Sequence, residues 1–473
     1  LIDKRANFVK RLRQHLRRYV DQPMVRPLAL AGPVLVLLIA LPLLRPLRRP
    51  TEISNDELLR LATIRALVEH RSLSLDHGYA RVPGSVQTSS GTYSAQPPMM
   101  AVLLSAPAWV LHRMGIWFDN KQILISYLLT VLGVTLPVAG AAGLIYRMGR
   151  LFELRRPWRT GLGIAVVAGS GLLSYSVVLN QYAPAAVLIL CSAACLIHVA
   201  AMNRDDRRAG WFAAAGGCAA LAATLDPAAT VFLVLFFFVI PAMRFSALRR
   251  LTGMWLYILG ALPLLCLHAA WNIPVTGTIV PASVQAMIYD NSPPITPPLN
   301  RFDDDDATPP TIWTAIGGNV VWLLTATVGD HGVLSHFPVM IVGILGIGAV
   351  MHRHWPSETK TLAGATLVGA VLIILLCKAA KIDWTLAMFA AKWFILFTPL
   401  LLFWSGAWLR RAHSQAGWIL AGVALFFSVT VGLIGATDPT PPHGYDRYTA
   451  AGAMARLMQP HSMDGNALAR REP

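Results

Sequence analysis

The sequence predicts an all-α, polytopic transmembrane protein of about eleven spans, and three observations predict it. The chain is 55% hydrophobic and only 14% charged, with a mean hydropathy of +0.53, too apolar for a stack of soluble domains. Apolar runs of spanning length recur from Leu28 to about Ile434, clearest at 28–44, 122–146, 227–243, 333–351, 361–377 and 417–434. Backbone in lipid must satisfy its own hydrogen bonds, and helices do so. Finally, the basic residues behind the net charge of +16 cluster in short segments between these runs, a pattern of membrane orientation rather than of nucleic-acid binding.

Taken in order, residues 1–26 contain "DKRANFVKRLRQHLRRY", a basic amphipathic segment expected on the cytoplasmic face against anionic headgroups. No cleavable leader is visible, and the run from Leu28 would itself serve as the insertion signal. A transmembrane domain then occupies 27–435, with large outer loops at 47–121 and 272–332 and an outer-face tail at 436–473. The segment 97–112, "PPMMAVLLSAPAWVLH", decides the count. If it crossed fully, the Arg-rich loop at 147–159 would lie outside and the charge rule would invert for most later loops. As a helix in or dipping into the outer interface, it leaves "NRDDRRAG", "RFSALRR", "MHRHWPSETK" and "RRAHSQ" inside. Arg45, Arg48 and Arg49 run against the rule; the basic residues before the first span outnumber them, and they could also serve an anionic substrate.

The loop at 272–332 carries "DNSPPITPPLNRFDDDDATPPT", irregular by its prolines. Asp303 to Asp306 could hold a divalent cation, although a solvated acidic loop is the commoner fate of such a run; no other cofactor is expected. All five cysteines (Cys191, Cys195, Cys218, Cys266, Cys377) sit in apolar stretches without CxxC spacing, so they read as small core residues. Asp226 interrupts an apolar stretch before Pro227, where a helix-start cap is its simplest role.

The chemistry-bearing stretch is "SNDELLRLATIRALVEHRSLSL", residues 54–75. Ser54 and Glu57 fit a capping box, and Asp56 in the first turn suits the helix dipole. Leu58, Leu61, Ile64 and Val68 form one stripe flanked by Arg60 and Arg65, so the helix is expected to lie flat on the outer leaflet, apolar side down. A carboxylate at the lipid–water boundary, partly desolvated and close to Arg, can act as a general base on an acceptor hydroxyl. No GxGxxG, Walker, HExxH or GxSxG pattern stands in a supporting context.

The order "NDELLRLATIRALVEHRSLSL", then "GTYSAQPPMMAVLLSAPAW", then a span ending in an Arg-rich loop, resembles the amino half of the GT-C glycosyltransferases. It is most similar to bacterial members related to protein mannosyltransferases and lipid A aminoarabinose transferases. Weaker matches follow at 224–237, 272–285, 330–342 and 390–403.

The resemblance implies an inverting transferase in a bacterial cytoplasmic membrane, active on the outer face. It would move a sugar from a polyprenyl-phosphate carrier to a lipid, glycan or protein acceptor, with membrane lipids but no nucleic acid as partners. Asp56 would be the catalytic base and Glu57 its orienting or capping neighbour. Lys392, and after it Arg60, would meet the lipid phosphate, while Tyr93 and Gln96 open the second interfacial helix on the substrate side. Asp330 and His331 could line the cavity where the loop re-enters the membrane. Where the family often has Asp or His near the start of the span at 184, this chain has Asn180, Gln181 and Tyr182. Two alternatives stay open: a transporter or flippase of lipid-linked sugars, and a non-catalytic scaffold subunit, in which the cavity would be collapsed or filled and Asp56 would face away.

Overall fold

The computed structural model describes residues 27–44, 54–76, 85–88, 91–201, 210–279, 312–329, 332–379, 392–410 and 414–437. The basic segment 1–26, Asp303 to Asp306, Asp330, His331 and the tail from 438 lie outside the described residues. In chain order the elements are α1 (Pro27–Leu43), α2 (Asn55–His70), β1 (Ser85–Thr88), β2 (Gly91–Ser94), α3 (Met99–Arg113), α4 (Phe118–Thr130), α5 (Leu136–Met148), α6 (Arg156–Gly169) and the short α7 (Leu172–Tyr175). Next come α8 (Tyr182–Ala201), α9 (Gly210–Leu225), α10 (Thr230–Val239), α11 (Ala247–Thr276), α12 (Ile312–Thr327) and α13 (Val333–His336). The last are α14 (Met340–His352), α15 (Ser357–Ala379), α16 (Thr398–Phe403), α17 (Ser405–Leu409) and α18 (Gln415–Thr437).

Among the described residues, five helical stretches are long and apolar enough to cross a bilayer: Lys121–Phe152, Tyr182–Ala200, Ala247–Thr276, Ser357–Ala379 and Gln415–Thr437. Six shorter apolar helices, Met99–Arg113 among them, accompany these. The chain is an all-α, multi-pass membrane protein, with one small antiparallel ribbon in which Val86 faces Tyr93.

Burial sorts the long helices by position. The central one is α8, 78% of whose apolar window is buried, against 22% for α11. On α11, Leu251, Trp255 and Leu259 are exposed, as are Leu420, Val423 and Phe426 on α18. Such apolar surface is what a lipid-facing helix presents. Lipid adds no hydrophobic drive between helices, so close contact relies on small residues. Gly216 of α9 lies against the Tyr257 carbonyl of α11, and Gly260 of α11 lies against the Ala213 carbonyl of α9; a Cβ at either glycine would collide with that backbone.

Three local expectations change. The run 333–351 is broken at Phe337–Val339 into α13 and α14, because Pro338 offers no N–H to continue the first turn. Cys266 is exposed on α11 rather than in the core, unlike the buried Cys195 and Cys377. The helix from Ser54 is not buried along a single apolar stripe: Leu59, Arg60, Leu61, Ala62, Thr63, Ile64 and Ala66 are all buried, while Leu58 and Val68 are half-buried. Leu61 and Ile64 join the main core with Met99 and Met100 of α3, and Leu59, Ala62 and Ala66 form a second cluster with Leu75. Leu75 is itself tied to β2, its N–H donating to Thr92 O at 2.8 Å. Helix α2 is therefore covered on two sides, which fixes the angle at which its amino end enters the site.

Candidate active site

The site begins at the first turn of α2. Ser54 caps it, its Oγ accepting from the Glu57 N–H at 3.2 Å, so the acids at 56 and 57 sit where the helix dipole favours negative charge. The carboxylates then diverge. Glu57 is buried, and its Oε1 accepts from Ser126 Oγ of α4 at 3.2 Å; it pins α2 to α4. Asp56 reaches across the fold to Lys392, whose Nζ donates to Asp56 Oδ2 at 2.9 Å. The Lys392 side chain is 10% exposed and that of Asp56 35%, so a buried cation meets a partly exposed carboxylate.

Burial works to raise the Asp56 carboxyl. The charges of Lys392 and Arg60, with the hydrogen bond from Lys392 and the nearby polar side chain of Gln96, together hold it below its ordinary value. Asp56 is therefore ionised at neutral pH. Lys392 lies in a 3-10 turn over Lys392–Leu396. Its Nζ is 5.8 Å from the Tyr182 ring centre and 5.4 Å from that of Trp393, two aromatic faces that favour a cation in place.

Arg60 has its own partners within the fold. It is buried, with Nη1 donating to Leu179 O at 2.8 Å and Nη2 donating to Gln181 Oε1. The segment before α8 is irregular backbone inside an apolar bundle, which is tolerable only when its polar groups find partners. Asn180 supplies several: its Nδ2 donates to Tyr175 O at 2.6 Å and Val178 O at 2.8 Å, and its Oδ1 accepts from Ala183 N–H at 2.9 Å. Thr135 of the π-turn between α4 and α5 adds another, donating to Ser176 O at 2.7 Å. Asn180 thus builds the turn, Gln181 receives Arg60, and Tyr182 faces Lys392. The three residues standing where the family often has an acid or His are used for architecture around the cations.

Tyr93 on β2 and Gln96 line a small cavity of about 20 Å³ with Thr63, Ser94, Asn272 and Thr276. No charged side chain lines it among the described residues. Gln96 stands between this cavity and Asp56, whose carboxyl it helps to hold low. His336, which stands beside "GVLS", is buried, its Nδ1 3.0 Å from Gly332 O; its role is to close that turn.

Sequence reasoning missed one member of the cluster. Asp226 caps the turn Pro227–Ala229, its Oδ1 accepting from Ala228 N–H at 2.9 Å. The same carboxyl is buried and lies within electrostatic reach of Arg60 and Lys392. The acid standing alone in an apolar stretch was the available signal; the capping role hid it.

Neither a family model nor a curated protein sequence matches the chain. Among solved structures, the chain is similar to the archaeal oligosaccharyltransferase AglB from Archaeoglobus fulgidus in complex with an inhibitory peptide and a dolichol-phosphate. The TM-score is 0.51 at 12% identity, over 88% of this chain and 57% of that one. An Archaeoglobus fulgidus oligosaccharyltransferase complexed with Zn and sulfate aligns at a TM-score of 0.44 and 11% identity, over 93% of this chain and 56% of that one. The chain shares its overall fold with the first of these structures. The chain spans little more than half the length of these proteins.

Proposed function

We propose that the chain is an inverting glycosyltransferase, with Asp56 as general base and a polyprenyl-phosphate sugar as donor, working on the outer face of a bacterial cytoplasmic membrane. One observation carries this reading: residues 336 positions apart meet as an Asp56–Lys392 pair at 2.9 Å, beside an uncharged, hydroxyl-lined cavity. A base and a phosphate-binding cation in contact are what such a transfer needs at its centre. Asp56 turned toward Lys392 and Gln96 supports catalysis over a scaffold, in which the carboxylate would face away.

The chemistry follows from the pair. Without donor, Lys392 satisfies Asp56; an arriving lipid phosphate competes for the same ammonium. When the phosphate takes it, Asp56 is left with Gln96 and the field of Arg60, more basic than before and adjacent to the cavity. It then receives the proton of the acceptor hydroxyl as that oxygen bonds to the anomeric carbon. The carbon–oxygen bond to phosphate breaks from the opposite face, which inverts the centre. Negative charge gathers on the leaving prenyl phosphate, and Lys392 stabilises it, an effect of about 2.7–4 kcal/mol for one preorganised donor. Glu57 and Arg60 hold the frame rather than touch the reactants, through Ser126 and through Leu179 and Gln181.

The solved relative contains a dolichol-phosphate and a peptide, which supports a lipid-linked donor and leaves a protein among the acceptor classes. The test is transfer by purified full-length protein from a fluorescent polyprenyl-phosphate sugar. Asp56→Asn should abolish turnover while the thermal melt stays near wild type; wild-type rates in that variant would remove the base assignment.

A further inference from the structure

The end of the bundle away from the Asp56–Lys392 pair carries arginines that no described acid satisfies. Helix α6 starts at Arg156 and ends beside Ser170, whose carbonyl accepts from Thr398 Oγ1 at 2.8 Å, two residues beyond the Lys392 turn. Its 14 residues, at about 1.5 Å each, separate the two ends by about 20 Å. Residues 147–160 hold five arginines and one acid, Glu153, and Glu153 Oε2 accepts from Arg410 Nη2 at 2.6 Å. Arg159 is buried against Tyr146, 4.7 Å from the ring centre. Arg155 and Arg156 are exposed, and among the described residues no carboxylate pairs with either. Helix stability does not call for them there, because the dipole disfavours cations at an amino end. The neighbouring surface is that of a lipid contact. Trp158, 50% exposed, packs on Trp418 of α18 with ring centres 5.5 Å apart, and Trp418 meets the buried Trp408 at 5.2 Å. From this aromatic group α18 runs along α6 until Gly432 meets the Ala168 carbonyl, and Leu420, Val423 and Phe426 are exposed on it at helical spacing. Tryptophan, an apolar body with one polar N–H, favours the membrane–water boundary.

We propose that this face binds one anionic phospholipid of the surrounding leaflet, its phosphate between Arg155 and Arg156, its glycerol region against Trp158 and Trp418, and an acyl chain along Leu420, Val423 and Phe426. Two arginines with no described acid beside them complement an anionic head, whose phosphate oxygens accept from the guanidinium forks. A zwitterionic head brings a cation of its own and gains less. Each arginine near an anionic leaflet is worth about fivefold in binding, so the pair predicts a preference of roughly thirtyfold for an anionic over a zwitterionic lipid. Orienting the chain during insertion needs basic residues somewhere in this segment. It does not require two of them to stand exposed at a helix start, next to a tryptophan pair and above an apolar stripe. The site is separate from the Asp56–Lys392 pair and independent of the donor reading, and lipid held here is not substrate.

The test is fluorescence quenching on the full-length protein in detergent, titrated with phosphatidylglycerol brominated on its acyl chains, since bromine quenches tryptophan at contact. Brominated phosphatidylcholine is the second arm, and glycerol phosphate, a head without chains, is the third. Wild type should show a saturable quenching component with phosphatidylglycerol, roughly thirtyfold tighter than with phosphatidylcholine, and glycerol phosphate should not displace it. Trp158→Phe should lose most of that component, which places the lipid. Arg155→Gln combined with Arg156→Gln should bring the affinity for phosphatidylglycerol down to that for phosphatidylcholine, while the thermal melt in detergent stays near wild type. Either single substitution should cost about fivefold, so a pair that fails to insert leaves the single variants to decide. Equal affinity of wild type for the two lipids, or a preference that survives the glutamine substitutions, overturns the proposal. Quenching unchanged in Trp158→Phe also overturns it, as does displacement by glycerol phosphate, which would make the ligand a soluble phosphate ester.

Discussion

Lys392→Met separates a catalytic from a merely structural role for the ion pair. Methionine keeps the apolar stem and removes the charge. Four influences hold the Asp56 carboxyl low against burial, and two of them, including the strongest, come from Lys392. Their loss lets burial prevail, so the carboxyl rises and the base limb of the pH–kcat/KM profile moves to higher pH. The cost in stability is small: Asp56 is about one-third exposed, solvent screens the pair, and such contacts contribute within about 1 kcal/mol. The sign follows from the direction of the shift. A lowered carboxyl stabilises the fold above its ordinary value and loses that contribution as pH falls through the folded value, so the deficit of the variant is present at neutral pH and vanishes in strong acid. The cost in catalysis is large, since one preorganised positive donor is worth roughly 10²- to 10³-fold in turnover. Thermal melts and transfer from a fluorescent polyprenyl-phosphate sugar, measured from about pH 5 to pH 9 on the full-length protein, read both quantities. A fall in kcat/KM of less than about tenfold, or a base limb that stays in place, would refute the exchange of Lys392 between Asp56 and phosphate.

Arg60→Lys cannot reproduce the fork that reaches both Leu179 O and Gln181 Oε1. It should cost about 1–3 kcal/mol, read as a lower melting temperature, with KM changing less than kcat because Arg60 does not hold the lipid head. Ser54→Ala removes the cap on Glu57 N–H and should cost about 1 kcal/mol. Hydrogen exchange should rise in the first turn of α2, and a rate unchanged from wild type there would show that the cap does not order Asp56.

Much of the architecture was legible because each long apolar run must close its own hydrogen bonds, and α15 and α18 fall close to the runs at 361–377 and 417–434. The cap at Ser54 was equally legible, being a contact over three residues. Asp56 and Lys392 were both nominated from residue type and resemblance, but their contact spans 336 positions and no local pattern encodes it. Helix α2 misled for the opposite reason. Its periodicity describes a helix half in lipid, whereas Arg60 is buried because backbone carbonyl and amide acceptors from positions 179 and 181 meet it. Asp226 was read as a cap, which it is, and a residue with an adequate local role gives no sequence signal of a second one. Asp303 to Asp306, Asp330 and His331 fall outside the described residues.

The partner of Asp56 is encoded 336 positions further along the chain. During translation at about 5–20 residues per second, roughly 20 to 70 s separate the emergence of the two side chains. Until the turn Lys392–Leu396 has joined α2, the acid lacks the ammonium of Lys392, and a nascent chain cannot carry out the proposed transfer. Assembly of the turn carrying Lys392 onto α2 is thus a precondition of the proposed activity.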